Sequence, residues 1–164
     1  MDYEIRLAFD TDIPSALDLA WRMFVKYDSL DYGAEHTERM REAIEDRLKN
    51  ISIYNQRLLV VALADGKVVG MLETYGTERI SLLFVDSEYQ RKGIATAMMS
   101  KVASELKMRG YDKIVLNSSP HGLSFYKHFG FTVVEEEKNP ETPWKTPMQY
   151  VLRNNLQENK NLNL

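Results

Sequence analysis

The sequence predicts an α/β (α+β) fold: a mixed, mostly antiparallel sheet of about seven strands flanked by about four helices. Three observations carry this. Three apolar runs follow one another at 58–64, 67–72 and 80–85, and Asp65-Gly66 between the first two is a strong hairpin signal. The third run is followed by a helical apolar stripe and then by another strand-like run at 113–117, a strand–helix–strand unit that implies a parallel pair. The chain has 164 residues, 44% hydrophobic and 27% charged, which suits one globular domain able to bury about 70% of its unfolded surface.

Taken in order, residues 3–7 alternate as a short first strand. Asp10, Thr11 and Asp12 precede Pro14, a helix-start pattern, and Ile13, Leu17, Ala20 and Phe24 then recur on one helical face. Asp, Ser and Gly at 27–33 break that period and predict a loop. A second helix carries Met40, Ala43, Ile44 and Leu48 on its apolar side and local charge pairs on the other. The meander of 58–85 follows. A third helix opens after Gly93 with Ala95, Met98, Met99, Val102 and Leu106 as its stripe, the methionines reading as core, and closes at Arg109-Gly110. After the strand at 113–117 come a short helix at 120–128, a strand at 131–136, a loop at 139–147 with three prolines, and a last strand at 148–152. Residues 154–164, rich in Asn, read as a frayed polar tail behind a single domain over 1–153.

Composition excludes several classes. With no Cys there is no disulfide scaffold, no thiolate zinc site and no Cys nucleophile. A net charge of −3 argues against a dedicated nucleic-acid binder, which would carry a basic stripe. The N-terminus has neither the basic nor the apolar region of a signal peptide, and no apolar run approaches the roughly 18 residues of a membrane span. The expectation is a cytoplasmic protein acting on something small, without nucleic acid or membrane as partner.

The most informative segment is 85–96, where an apolar strand ends in a polar turn and a helix begins at a small-residue step. Helix starts offer unpaired N–H groups and partial positive charge. Gly93 and Ala95 would let an anion approach the backbone, and Arg91 and Lys92 add cationic charge. An ordinary strand–helix turn with a surface basic pair fits the same residues. No Gly-x-x-x-x-Gly-Lys-Ser/Thr loop occurs, which disfavours a generic nucleotide binder.

Gln90-Arg91-Lys92-Gly93-Ile94-Ala95 resembles the Gln/Arg-x-x-Gly-x-Gly/Ala signature of the GNAT superfamily of acetyl-coenzyme A-dependent N-acetyltransferases. The run at 80–86 resembles that family's central strand, 117–120 its next strand end, and Phe125-Tyr126-x-x-x-Gly130-Phe131 its FY-x-x-x-GF segment. The resemblance extends over about residues 3–153. It implies a parallel pair splayed at the cofactor site, with acetyl-coenzyme A as co-substrate and no metal. The N–H groups of Arg91, Lys92, Gly93, Ile94, Ala95 and Thr96, with Gln90, would hold the pyrophosphate. The backbones of Leu83, Phe84 and Val85, beside a bulge, would bind the pantetheine arm together with Asn117, which also reads as a simple strand-end turn residue.

Tyr126 matches the family position whose hydroxyl faces the sulfur, so its implied role is catalytic. A phenol with pKa near 10 can donate to a departing thiolate with pKa about 8.5. The implied activity is direct transfer of acetyl to a primary amine of a small molecule or peptide, with an N–H of Phe84 or Val85 stabilising the oxyanion. The central strand offers Ser81 and no carboxylate, so deprotonation is open among Glu73, Glu78 (either also reading as exposed strand-edge charge), a water chain and an amine that arrives already neutral. His36, His121 and His128 have no metal-ligand spacing, and His128 reads as a surface residue. The resemblance places acceptor recognition in the loops at 27–33 and 139–147, where acids beside aromatics and the ring of Trp144 would suit a cation, and where a polar loop with a few packing aromatics fits the same residues better. Polyamine, amino acid, aminoglycoside-like antibiotic and protein N-terminus stay open, as do homodimerisation and a non-catalytic acyl-coenzyme A sensor on the same fold.

Overall fold

The computed structural model describes residues 2–51, 57–75 and 77–152. The elements run β1 (Glu4–Leu7), α1 (Ile13–Tyr27), α2 (Ser29–Lys49), β2 (Leu59–Ala64), β3 (Lys67–Thr74), β4 (Ile80–Val85), α3 (Ile94–Met108), β5 (Lys113–Ser118), α4 (Leu123–Phe129), β6 (Thr132–Val133) and β7 (Thr146–Val151). The predicted tail at 154–164 lies outside the described residues.

The strands form two antiparallel sheets, β1-β2-β3-β4 and β5-β7-β6. They meet at one parallel bridge, Arg79 opposite Val115, where the Val115 N–H donates to the Glu78 carbonyl at 3.1 Å. Beyond it, among the described residues, β4 pairs with β3 alone and β5 with β7 alone, so the two strands splay apart and each turns an unpaired edge toward the other. The parallel pair expected from the strand–helix–strand pattern is this splayed pair. β4 does bulge, but at Ser81, where the register steps from Leu82–Glu73 to Ile80–Thr74. The resemblance put the bulge beside Leu83–Val85; it lies upstream of them.

Both faces of the first sheet are covered. Val60, Ala62 and Ala64 of β2 pack with Met98, Met99, Val102 and Leu106 of α3, while Leu59 and Val61 pack with Leu17, Ala20 and Ile44 of α1 and α2. This is why β2 reads as an unbroken apolar run, the pattern of a strand buried on both sides. Gly70 on β3 is required by space: a Cβ there would lie 2.9 Å from Met98 Cε and 3.2 Å from Ala62 Cβ.

Three expectations need correction. The loop at 27–33 is almost absent. Only Asp28 separates α1 from α2; its carbonyl accepts from Asp31 and Tyr32 N–H at 3.0 and 3.2 Å, and Gly33 (φ 79°) kinks α2. Turn-forming residues are overruled here by packing, since Tyr32 stacks on Phe24 at 5.8 Å. The strand at 131–136 shrinks to Thr132–Val133, and Glu135–Glu137 forms a short 3-10 turn. Its ladder runs out against β7 at Pro147, which has no N–H to donate. Glu73 is not strand-edge charge: it is 0% exposed and held by Arg47, Arg57 and Ser81.

Candidate functional site

The splay between β4 and β5 opens into a cavity of about 1000 Å³. One wall is the unpaired edge of β4, with Leu83, Phe84 and Val85; the opposite wall carries Asn117 at the end of β5 and Tyr126 on α4. The N-terminus of α3 closes one end. There Arg91 (φ 59°) and Gly93 (φ 81°) both take the left-handed conformation, which is strained for arginine and free for glycine. No side chain caps the helix, and Ala97 N–H is the first to reach back, to Gly93 at 3.0 Å. The N–H groups of Ile94, Ala95 and Thr96 therefore lack intrahelical acceptors and carry the positive end of the helix dipole. Added Cβ atoms would find open space at Gly93, where only the Tyr3 hydroxyl comes within 4 Å, at 3.8 Å. Gln90 Nε2 donates to the Val85 carbonyl at 3.0 Å and ties the turn to the strand end.

Of the cofactor-binding residues and the tyrosine expected from the resemblance, all but one line this cavity. The exception is Lys92, whose ammonium donates to the Glu88 carbonyl at 2.8 Å and lies over the Tyr89 ring. Glu73 and Glu78 do not line it either. Glu73 accepts from Arg47 Nε and Nη2 at 3.0 Å each, from Arg57 Nη1 at 2.5 Å and from Ser81 Oγ at 2.6 Å, so it braces α2 and the β4 bulge against β3.

Tyr126 is 9% exposed and packs edge-on against Phe125 and Phe131, with centroids 5.3 and 5.5 Å away. Gly130 (φ 123°) turns the chain so that Phe131 N–H bonds the Tyr126 carbonyl at 2.9 Å, which is why Gly follows the aromatic pair in sequence. Burial, reinforced by the charge of Asp28 and by Tyr32, pushes the Tyr126 hydroxyl well above the ordinary tyrosine range, so it holds its proton at neutral pH.

The other end of the cavity holds residues that sequence spacing did not join. Asp28 is 7% exposed. The Tyr27 ring stacks on His121 at 4.5 Å, and Tyr32 on His36 at 4.6 Å. The Tyr27 hydroxyl donates to Ser87 Oγ at 3.0 Å, which fixes the first pair. His128, read as a surface residue, is exposed but also lines the cavity, as does Lys145. Trp144 stands behind the wall, edge-on to Tyr32 at 6.5 Å. Among the described residues no cluster of His, Asp and Glu could hold a metal, and no helix is long and apolar enough to cross a membrane. The three histidines and Asp28 come from separate turns whose meeting depends on the packing of α1, α2 and α4, so no local signal marks them.

An unpaired strand edge beside a free helix N-terminus can bind an extended, amide-bearing anion, and a buried phenol beside them can donate a proton. Comparisons with known proteins identify the family. Human N-acetyltransferase 8 is 36% identical over 83 residues, which cover 43% of this chain and 37% of that protein. The match thus spans little more than a third of the curated relative. A GCN5-related N-acetyltransferase from Rhodopseudomonas palustris superposes with TM-score 0.78 at 19% identity, covering 93% of this chain and 97% of that one. PaiA N-acetyltransferase from Thermoplasma acidophilum, in complex with coenzyme A, superposes with TM-score 0.70 at 19% identity over 92% and 99% of the two chains. The family model for the acetyltransferase (GNAT) domain matches residues 28–152, and the chain belongs to that family.

Proposed function

We propose that the protein is an N-acetyltransferase that moves an acetyl group from acetyl-coenzyme A to a primary amine by direct attack within a ternary complex. The observation that carries this reading is the meeting of three features in one cavity: the unpaired β4 edge, the uncapped N-terminus of α3, and the buried, protonated Tyr126. Acetyl-coenzyme A supplies a thioester carbonyl and a long polyanionic handle.

The chain's residues then divide the work. N–H groups of Arg91 to Thr96 cradle the pyrophosphate, Lys92 through its backbone only, with the Arg91 charge beside them. Backbone groups of Leu83, Phe84 and Val85 pair with the amides of the pantetheine arm as a neighbouring strand would, and Asn117 holds it from the β5 side. The N–H of Phe84 or Val85 meets the negative charge that develops on the carbonyl oxygen. Tyr126 gives its proton to the leaving sulfur. With no Cys in the chain, no thiol nucleophile competes with direct attack.

The test is calorimetric titration with coenzyme A, then thiol release from acetyl-coenzyme A with a panel of primary amines. Micromolar coenzyme A binding and amine-dependent release are expected, and Tyr126→Phe should lower the turnover number by about 10²-fold while leaving coenzyme A affinity within about 2-fold. No coenzyme A binding refutes the reading. Binding without turnover on any amine would instead favour a non-catalytic acyl-coenzyme A sensor.

A further inference from the structure

Asp28 occupies the N-cap position of α2, from which an Asp side chain ordinarily accepts from the first N–H groups of the helix. Here the side chain makes no capping bond. Its Oδ1 is buried and has no hydrogen-bond partner, and no Lys or Arg among the described residues forms an ion pair with it. It is also the one carboxylate on the cavity wall among the described residues. A buried carboxylate in that state is completed by a proton or by a cation. Burial is the main influence on its acidity and raises it above the ordinary carboxylate range, with the neighbouring charge of Asp31 adding to this. A hydrogen bond from the Ser119 hydroxyl to the carboxylate and the charge of His121 pull in the other direction without cancelling the effect of burial.

The surroundings select an ammonium ion. The stacked pairs Tyr27–His121 and Tyr32–His36 stand on the same wall, and aromatic faces attract organic cations. Burial is the main reason the Tyr32 and Tyr126 hydroxyls lie above the ordinary tyrosine range, and the charge of Asp28 adds to both, so it acts across the space where the proposed proton donor stands. The titratable groups facing it are Tyr27 at the end of α1, Asp31, Tyr32 and His36 on α2, His121 before α4, Tyr126 on α4 and Lys145 from the segment before β7.

We propose that Asp28 seats the protonated amino group of the acceptor, aims it toward Tyr126 and takes its proton, so that the acceptor is a primary amine that arrives as an ammonium ion. This rests on the acetyltransferase reading above. Two of the three ammonium protons leave. Asp28 takes the first and passes it to water; the freed electron pair forms the N–C bond as the C–S bond breaks, and the sulfur takes a proton from Tyr126. The second nitrogen proton then restores the Tyr126 hydroxyl. Asp28 thus does what neither Glu73, locked by Arg47, Arg57 and Ser81, nor Glu78, off the cavity, can do.

The test compares wild type, Asp28→Asn and, as a control for charge alone, Asp46→Asn, an exposed acid of α2 that does not line the cavity. Each is titrated first with coenzyme A, and the complex is then titrated with n-butylamine, 1,4-diaminobutane, glycinamide and n-butanol. Thiol release from acetyl-coenzyme A with the amines is followed from pH 5 to 9. The amines are expected to bind the complex and n-butanol not. Asp28→Asn should keep coenzyme A affinity within about 2-fold, weaken amine binding at least about 10-fold, lower kcat/KM by about 10²-fold and lose the acidic limb of the wild-type pH profile. Asp46→Asn should leave all of these near wild type. Asp28→Asn with unchanged amine binding and an unchanged acidic limb would overturn the assignment, as would a wild type that binds coenzyme A but none of the amines. Failure to bind coenzyme A at all would instead defeat the acetyltransferase reading.

Discussion

Glu73→Gln separates a brace from a base. Glu73 is fully buried, and among the described residues its carboxylate accepts two hydrogen bonds from Arg47, one from Arg57 and one from Ser81. Glutamine preserves the shape but removes the charge and turns one acceptor into a donor facing arginines. Each charge-assisted bond contributes about 1.5–3 kcal/mol, and breaking a buried ion pair from one side costs about 3–5 kcal/mol. The Arg47 and Arg57 side chains keep 13% and 20% exposure, so water recovers part of that loss. The expected destabilisation is therefore about 3 kcal/mol, read as a lower urea midpoint and a Tm lowered by about 6–12 °C. Below the transition, kcat should stay within about 3-fold of wild type, because Glu73 does not line the cavity. A variant of wild-type stability whose kcat collapses would refute this and make Glu73 the base.

Three further outcomes are expected. Gly70→Ala drives a methyl to 2.9 Å from Met98 Cε and should cost about 1–3 kcal/mol in denaturant unfolding, with Met98→Ala in the same chain recovering part of it. Gly93→Ala meets only the Tyr3 hydroxyl, at an ordinary contact distance of 3.8 Å, but must hold φ 81°, so it should lose about 1 kcal/mol of stability and weaken coenzyme A binding in calorimetry more than it weakens the fold. Asp28 is more basic folded than unfolded, so the folded chain binds its proton more tightly. The stability this contributes is complete below the unfolded pKa of 3.8 and is lost as pH rises through the higher folded value. Asp28→Asn should consequently be more stable than wild type at pH 7 and no more stable near pH 3, in urea unfolding at the two pH values.

Local pattern carried much of this molecule. Asp65-Gly66 marked the β2–β3 hairpin, the 3.6-residue stripe of Met98, Met99, Val102 and Leu106 marked α3, and the Gln90–Ala95 hexapeptide marked the turn that opens the cavity. These are short-range signals: turn chemistry, periodicity and a backbone that needs glycine at one φ. The loop expected at 27–33 shows where such signals stop, because the stacking of Tyr32 on Phe24 outweighed the turn preference of Asp, Ser and Gly. Glu73 makes the same point for charge. Its sequence neighbours gave it the look of an edge residue, and its partners Arg47 and Arg57 lie 26 and 16 positions away.

The sequence by itself determined an α/β fold, a polar turn and small-residue helix start at 90–95, a chain without cysteine, and the aromatic pair Phe125-Tyr126 that resembles the family's segment. Tertiary structure alone decided which acid faces the cavity. Asp28, Glu73 and Glu78 have the same chemistry on paper. What separates them is a desolvated oxygen without a partner in the first, two guanidinium groups on the second, and a place off the cavity for the third. Solvation and pairing are set by side chains distant in sequence, so a carboxylate's role is written in the packing around it.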